Sequence, residues 1–216
     1  MRRIIAIGLL GMAGVSCRSV RVAGGPPIVQ PGAPGEPSRV ITVASAIDLS
    51  HVQATPSDVA FMQGMIGHHA QAVEMVALMA TRTTREDLRS LGRRIDLSQA
   101  DEIKMMEHWL SVRGQEIPGP HAMHQHGATL MPGMLTPEEM DRLAAARGPE
   151  FDRLFLEGMI KHHAGAVTMV QELFTTPGAG QDVEIFSFTS DVDADQRMEI
   201  DRMGAMLNAL LKERQP

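Results

Sequence analysis

The sequence predicts an all-α protein, a four-helix bundle made of two repeated helical hairpins. A 16-residue segment returns 94 residues later with 11 identities. Its apolar residues recur at helical spacing. Strand-forming aromatics are scarce, at 3% with no Tyr, which argues against an all-β alternative.

The chain begins with a basic pair, Arg2 and Arg3, and an apolar run from Ile4 to Ala13. That is the length of an export-signal core and too short to span a bilayer. Gly14-Val15-Ser16-Cys17 follows and resembles a lipoprotein cleavage box, although Gly14 stands where a leucine is usual. Residues 1–17 are therefore expected to be a signal peptide, with Cys17 as a candidate lipidation site that would anchor the protein to a membrane. Because Cys17 is the only cysteine, disulfides and thiolate metal sites are not expected. Residues 18–55 are rich in Pro and Gly and read as an extended tether without a core of its own.

The folded domain is expected over 56–213. Thr55 caps its first helix and Pro56 occupies the first position. The first repeat is Phe61-Met62-Gln63-Gly64-Met65-Ile66-Gly67-His68-His69-Ala70-Gln71-Ala72-Val73-Glu74-Met75-Val76. The second is Phe155-Leu156-Glu157-Gly158-Met159-Ile160-Lys161-His162-His163-Ala164-Gly165-Ala166-Val167-Thr168-Met169-Val170. At 100° per residue, Phe61, Met65, Ala72, Val76 and Met79 fall within roughly 60° of one another. Gln63, Gly67, Gln71 and Glu74 fall opposite. Most differences between the copies lie on that second face, which reads as polar.

A weaker repeat follows each copy. Gln99, Glu102, Ile103, Met106 and Leu110 match Gln196, Glu199, Ile200, Met203 and Leu207. Each half is thus a helix, a short connection and a second helix. The expected spans are 56–82, 84–113, 149–174 and 181–213. A short helix over 137–147 follows the start signal Thr136-Pro137-Glu138-Glu139. The first repeat occupies 56–113, a His/Met linker 114–135, and the second repeat 136–213. Two such copies would place their His-His pairs near a pseudo-twofold axis.

On the helical wheel His68 and His69 straddle Met65 on the buried face, and His162 and His163 straddle Met159. Buried imidazoles need partners. One reading is that Met65, His68, His69, Met159, His162 and His163 bind a metal ion: imidazole suits copper, zinc and nickel, and thioether favours Cu(I). The other is that the histidines hydrogen-bond to Gln99 and Gln196, which lie in the middle of the partner stripes. The two can coexist, since a metal-bound His needs an acceptor on its other nitrogen.

The linker adds His121, Met123, His124 and His126, followed by Met131 and Met134. That is a soft ligand set for metal capture, or else a solvated loop. Met106 and Met203 repeat and are further ligand candidates, while most other Met residues read as core. Glu102 and Glu199 could bind metal or pair with Arg or Lys at the rim.

Other functions fit poorly. A net charge of −6 without a basic stripe disfavours nucleic acid as a partner. No Glu has His three residues later, which disfavours a carboxylate-bridged di-iron bundle. His-Glu-x-x-His and Gly-x-Ser-x-Gly are also absent.

Taken together, the doubled Phe-x-x-x-Met-Ile-x-His-His-x-x-Ala motif and its Gln-x-x-Glu-Ile-x-x-Met partners resemble the bacterial family DUF305. Met131-Pro132-Gly133-Met134-Leu135-Thr136 also looks typical of its two-copy members. The likeness covers residues 56–211. It implies a ferritin-like helical bundle and, through members resembling copper-binding proteins of the CopM type, copper sequestration in the cell envelope. The expected role is then to hold Cu(I) or Cu(II), with zinc as a further candidate, in the periplasm or on the outer face of the envelope. The alternatives are a metal-dependent oxidoreductase of the cuprous oxidase type and a metal-free interaction module.

Overall fold

The structure is a computed structural model that describes residues 26–30, 37–48, 53–119 and 130–213. The expectations for Cys17, His121, Met123, His124 and His126 fall outside the described residues. The chain divides into two units, 1–51 and 52–216.

Within the first unit, two short strands lie in the stretch expected to be extended. β1 (Ile28–Gln30) pairs antiparallel with β2 (Arg39–Ile41), with Val29 opposite Val40. β-branched residues favour such pairing, and Arg39 Nε donates to Gln30 Oε1 at 2.8 Å. A four-residue helix, α1 (Val43–Ala46), follows with Thr42 as its cap. Nearly all of these side chains are exposed, so the ribbon has no core.

The second unit is helical: α2 (Pro56–Ala77), α3 (Met79–Arg82), α4 (Glu86–Val112), α5 (Pro137–Ala145), α6 (Gly148–Thr175) and α7 (Val183–Glu213). Ends fall within two residues of those expected, except that the first helix breaks at Leu78. Thr55 forms a full capping box with Asp58, and Thr136 forms one with Glu139, each followed by Pro at the first position. In each box two otherwise unpaired donors are satisfied reciprocally.

Helix α2 packs on α4, and α6 packs on α7, as two hairpins. The hairpins join along α2 and α6, while α4 and α7 stand apart with an open groove between them. The fold is thus the expected four-helix arrangement, open along one side.

A repeated aspartate ties each hairpin to the other. Asp58 is buried on α2, and its Oδ1 accepts from the Gly180 N–H at 2.7 Å, in the α6–α7 connection. Its repeat mate Asp152 is buried on α6 and faces Thr83, in the α2–α4 connection. Burial pushes the Asp152 carboxyl up, and Thr83 partly offsets this. Among the described residues no helix is long and apolar enough to cross a membrane.

Two apolar clusters form the core. One contains Met62 and Met65 of α2, Met106 and Leu110 of α4, Met169 of α6 and Ile185 of α7. The other contains Met75 of α2, Ile95 of α4, Phe155 and Met159 of α6, and Met203 of α7. In every one of these helices the two clusters are separated by the repeated polar residues. A buried polar layer therefore crosses the domain at mid-height.

Candidate metal centre

The polar layer contains His68, His69, Gln99, Glu102, His162, His163, Gln196 and Glu199. Each long helix contributes two neighbouring or one-turn-apart positions, because the repeat places them at equal heights in both hairpins. All four histidines have no solvent exposure. Helices α2 and α6 run antiparallel, so the His68 ring stacks on its repeat mate His162, with centroids 3.8 Å apart and planes inclined by 37°. His68 and His69 lie 6.3 Å apart, and His162 and His163 6.1 Å. These matched distances put the pseudo-twofold axis between His68 and His162.

Every histidine uses Nε2. His69 Nε2 donates to Glu102 Oε2 at 2.6 Å, and His163 Nε2 donates to Glu199 Oε2 at 2.7 Å. The partners are therefore Glu102 and Glu199, not the expected Gln99 and Gln196. The glutamates lie nearly one turn further along, at the edge of the stripe, where a longer side chain reaches inward from the groove. Arg94 approaches Glu199 only to 3.8 Å, so the rim ion-pair role is secondary. His68 Nε2 donates to the Pro132 carbonyl at 2.9 Å, and His162 Nε2 to the His68 carbonyl at 2.8 Å. Both acceptors are carbonyl oxygens, which fixes the proton of these two rings on Nε2.

The opposite nitrogens are bare. Nδ1 of all four histidines is buried without a hydrogen-bond partner, as are both amide atoms of Gln99 and Oε1 of Gln196. Buried polar atoms are rarely left unpaired, and most such side-chain atoms among the described residues fall in this one layer. Burial, reinforced by the neighbouring His69, holds His68 down to about 3, although the Pro132 carbonyl pulls the other way. Burial also holds His162 well below the usual imidazole range, followed by the proximity of His68, His163 and His69. The stacked pair is thus neutral at physiological pH.

The two methionine pairs sit on opposite sides of the layer. Met65 and Met106 share one apolar cluster, and Met159 and Met203 share the other. All four are fully buried. Among the described residues no three His, Cys, Asp or Glu side chains are gathered as a closed ligand set.

The segment 131–135 closes the layer from outside. Gln71 Oε1 accepts from the Leu135 N–H at 2.7 Å, and its Nε2 donates to the Leu135 carbonyl at 2.9 Å. Gly133, at φ +77°, lies against Gly165 of α6. This corrects the expectation that Gln71 and Gly67 face solvent, since both are buried. The Gln71/Gly165 difference is not surface variation. One repeat supplies the amide that grips the strap, and the other supplies the gap that admits it.

This geometry of doubled helices, doubled histidines and a Met-Pro-Gly-Met strap accords with what is known of other chains. The model of the family called "Domain of unknown function (DUF305)" matches residues 58–207. The chain belongs to the DUF305 family. It is similar to a DUF305 fragment from Deinococcus radiodurans at 32% identity, covering 72% of this chain and 98% of that one, with a TM-score of 0.62. A DUF305 protein from Streptomyces coelicolor, described as secreted, is 30% identical over 71% of this chain and 93% of that one, with a TM-score of 0.61. CopM in its Cu(II)-bound form is 30% identical over 70% of this chain and 96% of that one, with a TM-score of 0.58. The same protein in Cu(I)-bound and silver-bound forms matches at 27% identity. No curated protein sequence matches the chain.

Proposed function

We propose that this DUF305 protein binds copper in its buried polar layer and holds it without turnover. The observation that carries the proposal is the set of four buried imidazoles whose Nε2 atoms are engaged in hydrogen bonds while their Nδ1 atoms have no partner. An imidazole that donates one N–H to a carboxylate and offers the other nitrogen is the usual form of a metal-binding His. His69 with Glu102, and His163 with Glu199, have this form twice. Met65 and Met159, one turn from the His pairs, supply thioethers, which favour Cu(I), while imidazole also accepts Cu(II) and zinc. The similarity to CopM supports copper over zinc.

The same reading takes residues 1–17 as an export signal and Cys17 as the point of lipid attachment. The domain would then work in the cell envelope, consistent with a relative described as secreted.

Equilibrium dialysis against copper and zinc, followed by metal analysis, tests the proposal. At least about one copper per chain is expected, in preference to zinc, as Irving–Williams affinities favour. Met65→Leu with Met159→Leu conserves volume, and each swap is expected to cost under about 1.5 kcal/mol in stability. It should weaken Cu(I) binding roughly tenfold, about 1.4 kcal/mol, and Cu(II) binding less. Alanine at His121, Met123, His124 and His126 gives the comparison for the linker. Cutting out 121–134 would not, because Pro132 holds His68. Unchanged binding in the Met variant and in His68→Ala/His69→Ala would sink the proposal.

A further inference from the structure

The groove between α4 and α7 is not used by the hairpins themselves. It has a volume of about 910 Å³ and runs from Val183 to Glu199 along one wall and from Arg94 to Met105 along the other. Its chemistry is doubly unusual for a solvent-facing surface. Large apolar side chains stand exposed in it: Leu97 at 67%, Val183 at 58% and Met198 at 56%. Beside them are Glu102, Asp191, Asp195 and Glu199, against the single guanidinium of Arg94. Among the described residues Asp191 and Asp195 enter no ion pair. Burial and the charges of Glu102, Glu199 and Asp191 push the Asp195 carboxyl up, so negative charge is in excess there.

We infer that this groove docks a cationic amphipathic helix of a partner protein. A trough between two helices that stand apart offers a third helix, about 10–12 Å across, a place to lie. Helix-in-groove recognition reads apolar contacts spaced along one face of the docked helix; Leu97 and Met105 lie about two turns apart on α4, Met198 lies on the α7 wall, and methionine adapts to varied partners. Lysine or arginine on the docked helix would meet the unpaired Asp191 and Asp195. The sign of the charge selects the partner. A second copy of this chain would bring the same acidic wall against itself, at a cost in like-charge contacts. An anionic membrane surface is repelled for the same reason.

The probe is a labelled 20-residue Leu/Lys amphipathic peptide titrated with the full chain, alongside a scrambled peptide of identical composition. Saturable one-to-one binding is expected for the amphipathic peptide, with at least about a tenfold loss in affinity between low and high salt. Leu97→Ser with Met198→Ser leaves the charge unchanged and should weaken binding about tenfold, since each lost anchor removes apolar burial. Asp191→Asn with Asp195→Asn should weaken binding and flatten its salt dependence, whereas Glu86→Gln, outside the groove, should do neither. All these positions are exposed, and circular dichroism confirms that the variants fold. Equal binding of the scrambled peptide, or no response to the groove variants, would overturn the inference in favour of general acidity. Concentration-dependent self-association abolished by the serine pair would overturn it in favour of a second copy.

Discussion

Replacing Gly165 by Ala is expected to destabilise the domain by about 3 kcal/mol, the sum expected for several buried polar groups losing their partners. Helix propensity alone argues the reverse, since Ala in a helix interior is favoured over Gly by about 1 kcal/mol. The steric term decides. A Cβ on Gly165 would fall inside the Pro132 carbonyl group, which is backbone and cannot swing aside as a side chain could. The strap must then lift, and it carries the acceptor for His68 and both hydrogen bonds of Gln71. Gly204→Ala on α7 is the matched control, because nothing lies within 4 Å of the added atom. Urea denaturation should show Gly204→Ala gaining up to about 1 kcal/mol and Gly165→Ala losing stability. A Gly165→Ala protein as stable as the parent would mean that the strap is not seated as described.

The metal-free domain is expected to lose stability steeply as pH falls from about 6.5 toward 3. His68 is held down to about 3 in the fold, against an ordinary value of 6.5. Between those values the unfolded chain binds a proton that the folded chain does not, so stability rises with pH across this window. The contribution is fully present above pH 6.5 and is lost on acidification. It amounts to about 1.4 kcal/mol per pH unit, or about 5 kcal/mol in all from this one residue. His162, held down by the same burial, acts in the same direction. Against a total stability of ~5–15 kcal/mol for a typical domain, this is enough to bring on acid unfolding. Denaturation midpoints between pH 7 and 4 should fall, while His68 keeps its neutral NMR signature in the folded state down to about pH 4. A flat midpoint, or a folded-state titration near 6.5, would contradict the burial and stacking described.

The architecture was legible because most of the repeat's identities fall at buried positions. Phe61, Met65, His68, His69 and Ala72 recur where both hairpins face the same axis, and the antiparallel stacking of His68 on His162 follows from that symmetry. The helix starts at Thr55-Pro56 and Thr136-Pro137 were legible because a capping side chain and a proline are local signals. The partners of the histidines were not. Gln99 and Gln196 lie at the centre of their stripes, so periodicity favoured them, but side-chain reach favours the glutamates at the edge. The recurrence of Glu102 and Glu199 beside the His pairs was the available signal. The helical wheel puts Gln71 and Gly165 on the polar face because it places a residue relative to its own helix. It does not register the strap from residues 131–135 that covers that face. For the same reason nothing in the pattern shows that α4 and α7 stand apart: amphipathicity defines which face is buried, not which pair of helices meets most closely.

Copper held by the polar layer would have a crystallographic signature of its own. Anomalous diffraction at the copper edge from copper-loaded crystals tests it most directly. Anomalous density is expected beside the Nδ1 atoms of the His68–His69 and His162–His163 pairs, with Glu102 and Glu199 still bound to the far nitrogens of His69 and His163. Density confined to the linker around His121–His126, with the polar layer empty, would contradict it.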